Sequence, residues 1–127
     1  MITGANRGIG LEFTRQYGAD GWRVLATCRN PIQPGELSTI TGDIQVHGLN
    51  IIDDNQVERL ANDLSGIAVD ILINNAGIYG PRGMAADGMD YAAWEEVLRV
   101  NALSPLRIST AFTDHVAKGQ MKKIITI

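Results

Sequence analysis

Three glycines close to the N-terminus are spaced so that they could hold a phosphate group. They lie in the segment Thr3-Gly4-Ala5-Asn6-Arg7-Gly8-Ile9-Gly10, between a short apolar run and residues of helical spacing. Glycines in a strand-to-helix turn permit a tight turn, close approach of the backbone to a pyrophosphate, and close packing of helix on strand. The spacing G-x-x-x-G-x-G is a weak signal by itself, and a turn that is merely tight remains the alternative.

Asn101 is the second residue with chemical potential, because it is polar on the apolar side of a helix predicted over residues 90–116. Pro105 follows four residues later and has no N–H to donate to the Asn101 carbonyl. We expect this carbonyl to be free to hold a water molecule, as a proton relay requires. A kinked helix with a buried Asn101 satisfied by its neighbours is the alternative interpretation.

Other kinds of site are disfavoured by composition. The single Cys28 cannot form an internal disulfide, and His47 and His115 are too far apart in sequence to give metal-ligand spacing, so we expect no metal. A net charge of −3, with no basic run longer than Lys122-Lys123, argues against nucleic acid and anionic membranes as partners. The sequence has no apolar stretch of roughly 20 residues and no signal-peptide layout, which predicts a cytoplasmic location.

The elements that must position these residues alternate between short apolar runs and longer helical patterns, which is typical of β-α-β units around a parallel sheet. Strands are predicted at 1–3, 22–27, 43–49, 69–73 and 122–127, helices at 8–21, 53–64 and 90–116, and loops at 29–42 and 77–88. The helix after Asp53 is well marked, because Asp53 and Gln56 form a variant of the capping box. We predict an α/β fold, a truncated Rossmann-type doubly wound parallel sheet of about five strands in the order 3-2-1-4-5.

Three motifs in this order carry a family resemblance. T-G-A-N-R-G-I-G forms the first turn, N-N-A-G follows the fourth strand at 74–77, and Val100-Asn101-Ala102 lies in the last helix. Together they resemble the short-chain dehydrogenases/reductases, and the resemblance covers the whole chain. Within that family, A-T-C-R at 26–29 and D-I-L-I-N-N-A-G at 70–77 resemble the carbonyl-reductase and C-factor branch.

The end of the second strand indicates which cofactor to expect. An NAD enzyme of this architecture carries Asp or Glu there, about 20 residues past the glycines, to accept from the ribose 2′-hydroxyl. Here Cys28 occupies that position, Arg29 follows it, and Arg7 lies in the glycine turn. Two guanidinium groups can clamp a 2′-phosphate, so we predict NADP (NADPH) as the cofactor. The alternative is that Arg29 is a solvated surface residue, and Cys28 is interpreted as a small apolar filler.

The resemblance also implies the remaining cofactor contacts. Asn50, followed by Ile51, matches the position that touches the adenine, and Asn75, Ala76 and Gly77 match the lining of the adenosine ribose. A strand-end turn in which Asn74 and Asn75 satisfy backbone groups is compatible with this role. The predicted cofactor site is Gly4, Asn6, Arg7, Gly8, Ile9, Gly10, Arg29, Asn50, Ile51, Asn75, Ala76 and Gly77.

For catalysis, the resemblance implies a tetrad of Asn, Ser, Tyr and Lys, of which the sequence contains only Asn101. No tyrosine in it is followed by lysine at the fourth residue. We therefore interpret residues 1–127 as the N-terminal part of an NAD(P)-binding Rossmann domain, lacking the start of the first strand and the C-terminal catalytic half, and expect the fragment alone to be inactive. The parent is expected to be a homo-oligomeric oxidoreductase that acts on a small carbonyl or alcohol substrate.

Two other functions remain open. One is a truncated C-factor-like nucleotide-binding or signalling module without turnover, and the other is a pseudoenzyme subunit that pairs with a complete partner through the 90–116 helix. The apolar terminal strand, with Ile124, Ile125 and Ile127, predicts in addition that the isolated chain self-associates.

Overall fold

A parallel β-sheet lies at the centre of the computed structural model, which describes residues 1–81 and 88–127. Its strands are β1 (Val24–Cys28), β2 (Ile44–Gly48), β3 (Ile71–Asn74) and β4 (Lys123–Thr126). β1 pairs with β2 and β3 pairs with β4. Residues 1–3 join the two pairs, because Ile2 forms parallel bridges to Ala26 and to Ile73. The spatial order is β2, β1, residues 1–3, β3, β4, which confirms the predicted order 3-2-1-4-5.

Helices cover both faces of this sheet. They are α1 (Gly8–Ala19), α2 (Asp54–Asp63), α3 (Tyr91–Leu98), α4 (Ser104–Ala111) and α5 (Thr113–Lys118), with a 3-10 helix at Gly35–Thr39 and a π-helical segment at Arg99–Leu103. α2 begins as predicted, because the Asp53 carboxylate accepts a hydrogen bond from the Gln56 N–H at 3.1 Å. None of the helices in the described ranges is long and apolar enough to cross a membrane.

The core consists of two apolar clusters, one on each face of the sheet. Neighbouring residues along a strand point to opposite faces, so Met1 and Ile2 belong to different clusters, as do Leu72 and Ile73. All five residues of β1 are buried, as expected for a strand covered on both sides. Burial on both faces explains why the strands read as continuous apolar runs in the sequence.

The stretch predicted as one helix over residues 90–116 is helical from Tyr91 to Ala111 and again from Thr113 to Lys118, but it is not one regular α-helix. α3 ends at Leu98, the chain then takes a π-helical course through Arg99–Leu103, and a further break lies at Phe112. The N–H and the hydroxyl of Ser104 both donate to the Arg99 carbonyl, which stabilises the wider turn. Asn101 lies in this π-helical segment and is solvent-exposed, so it does not lie on a buried face as expected.

Smaller differences concern loops and strand ends. The strands predicted at 22–27 and 69–73 lie at Val24–Cys28 and Ile71–Asn74, a shift of one or two residues. The loop predicted at 29–42 contains the 3-10 helix, whose Leu37 is buried against the core. Of the loop predicted at 77–88, residues 82–87 lie outside the described part of the chain.

Candidate functional site

A cleft of about 570 Å³ opens at the carboxyl ends of the strands. Residues 1–3 lie between β1 and β3 in the sheet, so the chain reverses its direction of winding at this point, which is where doubly wound sheets bind ligands. Eleven of the twelve predicted cofactor residues line the cleft, and Gly10 lies behind its wall. Residues from four separate segments of the sequence therefore line one cleft.

The glycine turn forms the floor of the cleft, and two of its glycines have steric reasons to be glycine. Gly4 adopts a φ of +64°, and a Cβ there would lie 2.9 Å from the Ala76 Cα. A Cβ on Gly10 would lie 2.4 Å from both the Asn75 Nδ2 and the Gly4 carbonyl oxygen. The absence of side chains at these positions allows α1 to pack directly against the loop that follows β3.

Thr3 and Asn75 connect the glycine turn to that loop. The Thr3 hydroxyl oxygen accepts from the N–H groups of Asn75 and Ala76, each at 3.0 Å. In return, the Asn75 Nδ2 donates to the carbonyl oxygens of Thr3 at 2.9 Å and of Gly4 at 3.1 Å. Sequence analysis missed Thr3, although its position directly before the glycines, at the end of an apolar strand, was an available signal.

The electrostatics of the cleft favour an anion. Arg7 is the N-cap of α1, yet its side chain makes no capping hydrogen bond, and the first turn contains no acidic residue. The amide groups of this turn are free of side-chain caps, and the helix dipole places partial positive charge there. Arg7 and Arg29 are both exposed at the cleft. Burial raises the pKa of the Cys28 thiol, so this end of β1 carries no negative charge.

Asn101 contacts the cleft through a neighbouring backbone. Its Nδ2 donates to the Ile78 carbonyl at 2.8 Å, and its Oδ1 accepts from the Ile78 N–H at 3.0 Å. Ile78 and Gly77 line the cleft, so the Asn101 amide fixes one wall. The alternative interpretation was correct that the side chain is satisfied by neighbours, but not that it is buried. A water-holding role of its carbonyl stays a prediction.

A second cavity, of about 410 Å³, opens at the opposite, amino ends of the strands. It is lined largely by apolar and aromatic side chains such as Tyr17, Trp22 and Ile71. Its lining includes none of the predicted cofactor residues. Within residues 1–81 and 88–127, no group of three or more His, Cys, Asp or Glu side chains is arranged to hold a metal ion.

A doubly wound parallel sheet with a glycine turn at its switch point, and a helix N-terminus open to an anion, defines a Rossmann-type dinucleotide-binding domain. The family model described as short chain dehydrogenase matches residues 1–127. The chain belongs to this family of oxidoreductases, and the resemblance predicted from the three motifs is confirmed.

Individual relatives agree with this assignment. Retinol dehydrogenase 8 from Bos taurus is 29% identical over the whole chain, which covers 43% of that protein. A carbonyl reductase from Pseudomonas aeruginosa PAO1, solved in complex with NADP, is 30% identical with a TM-score of 0.81, covering 90% of this chain and 54% of that one. The NADPH-bound carbonyl reductase from chicken fatty liver is 32% identical with a TM-score of 0.75, covering 92% and 47% respectively. The chain spans about half the length of the curated relatives it matches.

Proposed function

We propose that the chain is the cofactor-binding part of an NADP-dependent oxidoreductase that moves hydride between NADPH and a carbonyl or alcohol substrate. The observation that carries this proposal is the pair of exposed guanidinium groups, Arg7 and Arg29, beside the buried Cys28 at the end of β1. A carboxylate at that position would favour NAD, whereas two guanidinium groups favour a 2′-phosphate. The NADP and NADPH complexes among the similar structures support the same choice.

The proposed arrangement follows from the strand order. The pyrophosphate would lie on the N-terminus of α1, and the 2′-phosphate between Arg7 and Arg29 on the β1 side. The nicotinamide end would then extend towards the wall formed by Gly77 and Ile78, which Asn101 holds. NADPH supplies the hydride when bound, and the protein supplies its position and the electrostatic surroundings.

Asn101 is the one residue of the implied catalytic tetrad that the sequence contains, and its catalytic role is part of the proposal. General acid catalysis by a positioned proton donor contributes about 10²- to 10⁴-fold to such reactions. We propose that the 127-residue chain binds the nucleotide without turnover, because it carries neither the Ser nor the Tyr-x-x-x-Lys of the tetrad. The carbonyl or alcohol substrate is a property proposed for a chain that does carry them.

Substitution of Arg29 by aspartate tests the cofactor assignment. We expect the wild-type chain to bind NADPH roughly 10-fold or more tightly than NADH, the range for one or two charge-assisted hydrogen bonds. Arg29→Asp removes one clamp, repels the phosphate and offers an acceptor to a ribose hydroxyl, so the preference should reverse. Both dissociation constants are measured by fluorescence titration.

Arg59→Asp is the matched control, since it makes the same charge change at an exposed position of α2. It should leave the preference for NADPH intact. Equal affinity of the wild-type chain for the two nucleotides would contradict the assignment of NADP.

A further inference from the structure

The adenine-side wall of the cleft, defined here as residues 50–52, follows β2 and lies at the cleft edge on the side of β1 and β2. If the 2′-phosphate lies at Arg29, the adenosine half of the nucleotide must lie against this wall, because β2 is the outermost strand on that side. The wall has no regular secondary structure and ends where α2 begins. Its shape therefore depends on the contacts that hold its backbone.

Gln56, the third residue of α2, makes the contact that fixes the start of this wall. Its Oε1 accepts from the Asn50 N–H at 2.9 Å, and its Nε2 donates to the Asp53 Oδ2 at 2.9 Å. In the usual capping box, the residue at this position reaches back to the N–H of the N-cap. Here the N-cap is Asp53, whose N–H already donates to the Asn50 carbonyl at 3.0 Å, so Gln56 reaches three residues further back.

The two ends of the Gln56 amide are not interchangeable. The Asp53 carboxylate can only accept, which requires the Nε2 on its side, and the Asn50 N–H can only donate, which requires the Oε1. All three residues are half-buried, so water competes poorly for these groups. The Asp53 carboxylate thus orients the Gln56 amide, and the Gln56 amide orients the Asn50 backbone.

A second contact holds the far end of the wall. The Arg99 Nη2, from the π-helical segment, donates to the Ile52 carbonyl at 3.3 Å. Arg99 is exposed and this hydrogen bond is longer, so the two Gln56 bonds are the stronger restraint. We propose that Gln56 is a positioning residue for the adenosine half of the cofactor and that it acts through the backbone of Asn50. This proposal rests on the proposed function.

Gln56→Met tests this in the 127-residue chain, because methionine keeps the length of the side chain and removes both hydrogen bonds. The probes are adenosine 2′,5′-bisphosphate, which carries the adenosine half of NADP, and reduced nicotinamide mononucleotide, which carries the other half. We expect the Kd for the adenosine probe to rise about fivefold to tenfold, the range for one lost hydrogen bond, and the Kd for the mononucleotide to stay unchanged. Gln16→Met, the same change at an exposed residue of α1, should alter neither.

Amide hydrogen exchange gives a readout that needs no nucleotide. In Gln56→Met, the Asn50 amide should exchange faster, while the Leu60 amide inside α2 keeps its protection. An unchanged Kd for the adenosine probe would overturn the proposal. The proposal would also be overturned if the Kd values of both probes rose equally and the Leu60 amide exchanged faster, because this result indicates a general loss of α2. If the wild-type chain binds no nucleotide at all, the proposed function fails, and Asn50 exchange still decides whether Gln56 holds the wall.

Discussion

The Thr3 hydroxyl connects the glycine turn to the loop that follows β3. It is fully buried and accepts two backbone N–H groups from the loop after β3. These N–H groups belong to Asn75 and Ala76, both of which line the cleft. Since an unpaired buried N–H costs free energy, the hydroxyl stabilises the fold and the cleft wall at once.

Thr3→Val should therefore destabilise the chain, although valine matches threonine in shape. Two partly buried N–H groups lose their acceptor, and the cost is at most about 1–3 kcal/mol for each group, the value for a buried group left unsatisfied. The free energy of unfolding is measured by urea denaturation. Thr3→Ser keeps the hydroxyl and should retain most of the stability. A valine variant as stable as wild type would show that the two N–H groups find other partners.

Among the elements, β2 is the edge strand on the cofactor side and carries a titratable group in an unfavourable position. The Nε2 of His47 is buried and has no hydrogen-bond partner among the described residues. Burial lowers the pKa of His47, and the Asp63 carboxylate opposes this only in part. The neutral imidazole is thus favoured in the folded state, and protonation must disfavour the native strand.

We expect the stability of the chain to fall as the pH falls through the window just below 6.5. In this window the unfolded chain binds a proton at His47 that the folded chain does not bind, so the free energy of unfolding decreases as the pH falls. Above this window, the contribution of the neutral His47 to the free energy of unfolding is fully present. Urea denaturation at pH 7.5 and pH 5.5 measures the difference. His47→Gln cannot titrate and should reduce it, and an identical difference in the variant would contradict the assignment to His47.

At the scale of the whole molecule, the two edges of the sheet differ. β4 forms the edge opposite β2. Its Ile124 and Ile125 are 43% and 40% exposed, and Ile127, directly after it, is 59% exposed. Every residue of β4 is exposed, whereas four of the five residues of the other edge strand, β2, are half-buried. An apolar edge strand with free backbone groups is a template for pairing with another chain.

We therefore predict that the isolated 127-residue chain self-associates through β4. Sedimentation velocity over a concentration series should show species larger than the 13.7 kDa monomer. Ile125→Lys places a charge on the edge and should shift the distribution towards monomer. Ile32→Lys, the same change at a loop residue that is 89% exposed, should not. A monomer at all concentrations, or equal effects of the two variants, would contradict association through this strand.

Much of the fold and of the candidate site was determined by the sequence. Apolar runs alternating with helical patterns predicted a doubly wound parallel sheet, and the predicted strand order was the one typical of a Rossmann-type sheet. The start of α2 was predicted from Asp53 and Gln56, which act within one helical turn. The residues proposed for the cofactor site came from the glycine turn and the family resemblance, and the structure places eleven of the twelve around one cleft because the carboxyl ends of parallel strands meet at one edge of the sheet.

The tertiary structure alone decided how the site is held together. Asn101 bonds to Ile78, 23 residues away, and the Thr3 hydroxyl bonds to Asn75, 72 residues away. The π-helical segment that contains Asn101 and the hydrogen bond from the Asn50 N–H to Gln56 are local in sequence, but neither follows a pattern of periodicity or of the usual capping box. Periodicity and capping motifs report interactions within a few residues, whereas the contacts of Asn101 and Thr3 form only when the folded sheet brings distant segments within hydrogen-bond distance.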